Sequence, residues 1–106
     1  MRWKGRSDLT KPPIELGRVV LSRAGRDMDR YFVVVGQTDE QHVLVADGDL
    51  RRMAVPKKKK LKHLAPKPAC MSEIRTKLEK GEQIQDAQIR KFLAACGYGP
   101  RAKQEE

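Results

Sequence analysis

Three short stretches in the first half of the chain are built from β-branched and aromatic residues: RVVLS at 18–22, YFVVV at 31–35 and HVLVA at 42–46. Each is bounded by Gly-, Asp- or Gln-containing breaks, which predicts three short strands. Asp47-Gly48 predicts a tight turn into a fourth strand over 50–54, because glycine accepts the positive φ that primed hairpin turns demand. A fifth strand is expected over 60–64, where Leu61 and Leu64 break strict alternation and leave room for a bulge or a single helical turn at its end. Beyond the Pro-containing stretch Ala65-Pro66-Lys67-Pro68 the period changes. Met71, Ile74 and Leu78 fall at helical spacing, with Ser72 as the expected cap and Gly81 as the terminator. Asp86 is expected to open a second helix, in which Ile89, Phe92, Leu93 and Cys96 stand at i, i+3, i+4 and i+7 and which Gly97 ends.

Strands this few and this short cannot stack as two full sheets, and closure into a small barrel removes edges that would pair with other chains. The expected fold is therefore mainly β with α: a small β-barrel over 14–65, followed by a short C-terminal helical hairpin within 66–106. Residues 1–13, basic and without periodicity, are expected to form a flexible arm, and 101–106 to fray.

Charge narrows the function classes. The chain has 106 residues, room for one compact domain, which excludes a multi-domain enzyme with a large enclosed active site. It carries 23 Lys+Arg against 14 Asp+Glu, a formal net charge of +9. The excess is local: residues 1–65 hold 15 basic and 8 acidic side chains, and residues 66–106 hold 8 and 6. Within 51–63, Arg51, Arg52, Lys57, Lys58, Lys59, Lys60 and Lys62 occur with no acid, a density that attracts polyanions through counterion release. No apolar run approaches the roughly 18 residues of a membrane span, and no apolar stretch follows the basic N-terminus to make a signal peptide. A cytoplasmic or nuclear protein that does not engage a membrane is expected, the cytoplasm being favoured.

Catalytic and metal chemistry find little support. Cys70 and Cys96 are too few for a disulfide framework and are expected as reduced thiols; with His42 and His63 they offer no short spacing for a zinc ion. Asp27, Asp29, Asp47 and Asp49 are the clustered carboxylates, but they lie in turn-like segments where Asp serves backbone hydrogen bonds. Neither histidine has a neighbouring Ser or Cys to make a nucleophile and base. Neither enzymatic activity nor a cofactor is expected.

Leu16-Gly17-Arg18-Val19-Val20-Leu21-Ser22-Arg23-Ala24-Gly25-Arg26-Asp27, followed by Tyr31-Phe32-Val33-Val34-Val35, resembles a KOW motif, in which a strand leads into a glycine-containing loop and a second strand returns. The continuation through Val43 to Arg52 and Pro56 to Leu64 is similar to the KOW-containing large-subunit ribosomal proteins of archaea and eukaryotes and to small bacterial KOW-domain RNA-binding proteins. The resemblance covers residues 14–65, about half of the chain. It implies an SH3-like barrel that binds RNA, most often ribosomal RNA. One departure is visible: the loop reads Arg26-Asp27-Met28-Asp29-Arg30, where many relatives have a lysine and a glycine in place of Met28 and Asp29.

The residues themselves supply the contacts such a protein needs. Arg23, Arg26 and Arg30 offer planar forks for phosphate and for exposed bases, with solvated surface arginines as the plainer reading. Gly25 supplies either a backbone twist or a point where phosphate approaches the main chain. The run Lys57–Lys60 reads as a phosphate clamp, a charged edge that prevents strand pairing, or a nuclear import signal, the first being favoured. Adjacent lysines in extended chain point to both faces of a sheet, so an outlying basic arm is expected there, extended by Arg51, Arg52 and Lys62. One of Tyr31 and Phe32 must face outward, which makes Tyr31 the base-stacking candidate, or simply a cover for its neighbours. Trp3 is a second aromatic candidate in the arm. With Arg18 in the first strand, these residues form the expected RNA-contacting set. The expected function is RNA binding at the ribosome by a protein that is monomeric when free. The alternative is an interaction module that docks on ribosomal proteins or the transcription machinery, with Ile89, Phe92 and Leu93 either presenting an apolar face to the partner or, as the plainer reading, packing on the barrel.

Overall fold

The computed structural model describes residues 14–98, so the expectations for the N-terminal arm, Trp3 and residues 101–106 lie outside the described residues. Strands β1 (Arg18–Ser22), β2 (Tyr31–Asp39), β3 (His42–Ala46), β4 (Lys57–Lys60) and β5 (Leu64–Cys70) form one antiparallel sheet in the order β4-β3-β2-β1-β5. Helices α1 (Ser72–Glu79) and α2 (Asp86–Ala95) follow. β1 and β3 have the expected bounds. β2 runs on past Val35 to Asp39, with register shifts between Val34 and Gly36 and between Gln37 and Asp39 where it pairs with β3.

The apolar runs in β1 and β2 are nearly continuous because both faces of the sheet are covered. On one face Val19, Val33, Val35 and Ala46 form a buried cluster with Met71, Ile74, Ile84, Ile89 and Leu93 of the helical segment. On the other, Val20, Phe32, Val34, Val43, Val45 and Leu64 form a cluster drawn from the strands alone. Five of these six are fully buried, although neither α1 nor α2 contributes to the cluster; the partly buried Ile14 and Leu61 pack against it instead. The sheet curls over its own side chains. Cross-strand partners agree with the division: Val19 faces Val33 on the helix side, and Val20 faces Phe32 on the inner side.

Curling stops short of the expected closure into a barrel. β4 and β5, the two edges, form no ladder with each other. A single 3-10 turn, Leu61–His63, carries the chain from one edge to the other, and β5 contains Pro66 and Pro68, whose missing N–H groups leave its outer side poor in donors. The same arrangement corrects the expected strand over 60–64: β4 ends at Lys60, the turn intervenes, and β5 begins at Leu64. The boundary expected at 65/66 therefore falls inside β5, where Val20 pairs with Pro66.

The expected strand over 50–54 is absent. Asp47 Oδ1 accepts the N–H groups of Asp49 (2.9 Å) and Arg51 (2.8 Å), so groups that a ladder would need are held by a side chain. The helices form where predicted, but with other caps. Met71 occupies the cap position of α1 without a side-chain bond, and Ser72 is already helical. Gln85 caps α2 reciprocally with Gln88, while Asp86 serves a different purpose.

Candidate functional site

Two loops meet the start of β4 at one end of the sheet: residues 23–30 between β1 and β2, and residues 47–56 between β3 and β4. Buried carboxylates bolt them together. Asp27, 1% exposed, pairs with Arg51 Nη2 across the loops at 3.2 Å and with Lys59 Nζ of β4 at 3.4 Å. Lys59 Nζ also lies 3.4 Å from the carbonyl of Ala24. Asp47, likewise buried, accepts from Arg30 at 2.9 Å, and Arg30 approaches Asp49 at 3.8 Å. The Nε atoms of Arg30 and Arg51 are buried without a partner. Asp27, Asp47 and Lys59 are withdrawn from water while Arg30 and Arg51 stay partly exposed, so the loss of Asp27 would strand Lys59 above all.

Helix α2 fastens the second loop from the helix side. Asp86 Oδ1 accepts the Met53 N–H at 2.8 Å, and Arg90 donates to the Gly48 carbonyl. Gly48, at φ 78°, lies so close that a Cβ there would meet the Asp86 carbonyl oxygen at 2.3 Å. The helical extension thus shapes a loop of the candidate site.

Strand geometry sorts the lysine run. Lys57–Lys60 is a paired strand, which corrects the expected outlying arm. Lys57 and Lys59 face Val45 and Val43, whereas Lys58 and Lys60 face Leu44 and His42, so the cations alternate between the faces of the sheet. Lys59 is buried on the inner side, where Asp27 receives it.

The expected RNA-contacting residues divide accordingly. Arg30, Arg51 and Lys59 are tied into the carboxylate network. Arg18 is buried and donates to the carbonyls of Lys67 and Pro68 and to the Glu15 carboxylate. Arg23, Arg26, Arg52, Lys57, Lys58 and Lys62 are exposed and their side chains have no partner among the described residues. Lys60 is half-buried and likewise unpaired. The backbone of Arg23 bonds the His63 carbonyl, which brings the first loop beside the turn that carries Lys62.

Gly25 has φ 79°, and an added Cβ would meet only Lys59 Nζ, at 3.7 Å, so the backbone twist is present and the position is open. Asp29, where the KOW resemblance anticipates glycine, takes φ 71°, the one non-glycine described residue in the left-handed region. Tyr31 is half-buried and stacks on Tyr98 with ring centroids 4.4 Å apart. Its accessible ring face is thereby shared with the end of the helical extension.

Sequence reasoning missed Asp27 and Asp86 as the residues that hold the site. Their only signal was an acid in a loop otherwise read as basic, and an Asp at a helix start, which also fits capping. The cysteines are free, and burial pushes the Cys70 thiol up, away from the thiolate a nucleophile requires. No helix among the described residues is long and apolar enough to cross a membrane. Neither a protein-family model nor a curated protein matches the chain.

Proposed function

We propose that the protein binds structured RNA through this end of the sheet, and that ribosomal RNA in the cytoplasm is its target. The observation that carries the reading is the set of six exposed, unpaired cations, Arg23, Arg26, Arg52, Lys57, Lys58 and Lys62, on a frame tied together by ion pairs to two buried carboxylates. Side chains held at fixed spacing match phosphates at fixed spacing, and such contacts read shape rather than sequence. In this reading the curled sheet corresponds to the SH3-like barrel that the KOW resemblance implies. The KOW loop and the start of β4 contribute together, with no cofactor and no catalytic step.

Crosslinking of the tagged protein in its native cells, with sequencing of the attached RNA and a parallel sucrose gradient, tests the reading. Crosslinks concentrated on a ribosomal RNA helix, with co-sedimentation, are expected. A protein that stays at the top of the gradient without reproducible RNA would transfer the role to protein docking.

A further inference from the structure

Four large hydrophobic side chains are exposed among the described residues, and three of them, Met28, Leu50 and Val55, stand in the two loops that Asp27 joins. Met28 follows Asp27 directly, Leu50 precedes Arg51 directly, and Val55 lies on the run from Arg51 into β4. They are 52%, 54% and 75% exposed and belong to neither hydrophobic cluster. Phosphate binding does not need them, since an oxyanion gains nothing from an aliphatic neighbour.

Their surroundings favour one occupant. Arg23, Arg26 and Arg52 stand exposed and unpaired in the same loops, and Lys57 does so where the second loop enters β4, so cationic and aliphatic side chains are interspersed along these segments. The cations also continue onto the opposite face of β4 at Lys58. A planar anionic surface would reach only one of those faces, whereas a polyanion with grooves reaches both. A continuous A-form duplex offers the aliphatic tips little, because its major groove is deep and narrow and its minor groove displays 2′-hydroxyls. Unstacked bases present apolar faces instead.

We propose that this end of the molecule recognises RNA where a paired stem meets unpaired nucleotides, the cations engaging stem phosphates and Met28, Leu50 and Val55 covering the faces of unstacked bases. The proposal rests on the RNA reading above and names the substrate class of that same site.

The test titrates the full chain with a labelled RNA stem interrupted by an unpaired bulge, with the same stem fully paired, and with phosphatidylserine-containing vesicles. The bulged stem is expected to bind more tightly by about tenfold, a factor within reach of burying one aliphatic side chain. The variant M28S/L50S/V55S, whose folding is checked by its urea midpoint, is expected to bind both stems like the paired one with an unchanged salt slope. Equal affinity of the natural chain for the two stems overturns the inference and leaves the RNA reading standing, as does a preference that survives in the variant. Binding to neither RNA overturns both, and vesicle binding that disappears in the variant would then reassign the surface to lipid.

Discussion

Lys58 and Lys59 are neighbours in one strand and identical in chemistry, yet the structure gives them opposite surroundings. Lys58 is exposed and unpaired; Lys59 is 8% exposed, its ammonium held by Asp27 and the Ala24 carbonyl. The same contrast separates Arg52 from Arg51 and Arg26 from Arg30. The cationic end of the molecule is therefore two populations, an inner one that fixes the loops and an outer one that is available. A count of basic residues merges them. What divides them is strand alternation and the placement of two buried carboxylates, Asp27 and Asp47.

The comparison breaks most severely at Asp27. Asp27→Ala leaves Lys59 buried without its counter-charge, and the expected loss of folding stability is about 3–5 kcal/mol in urea unfolding. Adding Lys59→Met to that variant removes the stranded charge and is expected to recover a large part of the loss. A double variant no more stable than the single one would show that the buried lysine is not where the cost arises. Gly48→Ala is expected to cost about 1–3 kcal/mol, since the new Cβ is both strained at positive φ and driven against α2. Its loop should loosen with it, visible as faster amide exchange at Asp49 and Arg51. The outer population behaves differently. Lys57→Ala with Lys58→Ala is expected to leave stability within about 0.5 kcal/mol. RNA affinity should fall, and the slope of log K against log salt should shrink by about 0.7–0.9 for each phosphate that the protein no longer neutralises. An unchanged slope would remove these two lysines from the interface.

Much of this arrangement was legible along the chain where local pattern decides it. β1 and β3 are short β-branched runs with clear breaks, and α1 and α2 carry helical apolar spacing, so sequence and structure agree there. Agreement fails where side chains compete with the backbone. Asp47 captures the N–H groups of Asp49 and Arg51 and forbids a strand that Leu50 to Ala54 otherwise suggests. Pro66 and Pro68 signal a linker by composition, yet an edge strand accepts them because one side of it needs no ladder. The candidate site was legible as charge and illegible as geometry. That Lys59 and Arg51 turn inward depends on Asp27, 32 and 24 residues away in sequence, and no local pattern encodes that meeting.

The smallest expected effect lies at the exposed β2–β3 turn and calibrates the others. Asp39 accepts from His42 Nδ1 at 2.9 Å and from the Gln41 N–H at 2.8 Å, and these bonds, the histidine's first, hold its carboxyl below the usual aspartate range. A lowered folded pKa means that the carboxylate stabilises the fold above the unfolded pKa, and that this contribution disappears as pH falls through the folded value. Unlike Asp27, however, Asp39 is open to water, which screens the pair and leaves it little weight in folding. In an NMR titration the Asp39 carboxyl is expected to have its midpoint below that of an unperturbed aspartate. His42→Ala should move the midpoint up without restoring it fully, because the Gln41 N–H remains. Its unfolding midpoint at neutral pH should stay close to that of the natural chain. An ordinary titration in the natural chain would remove the His42 bond; a large loss of stability in His42→Ala would mean that exposure does not set the weight of a carboxylate pair here, and would undercut the division between the inner and outer cations as well.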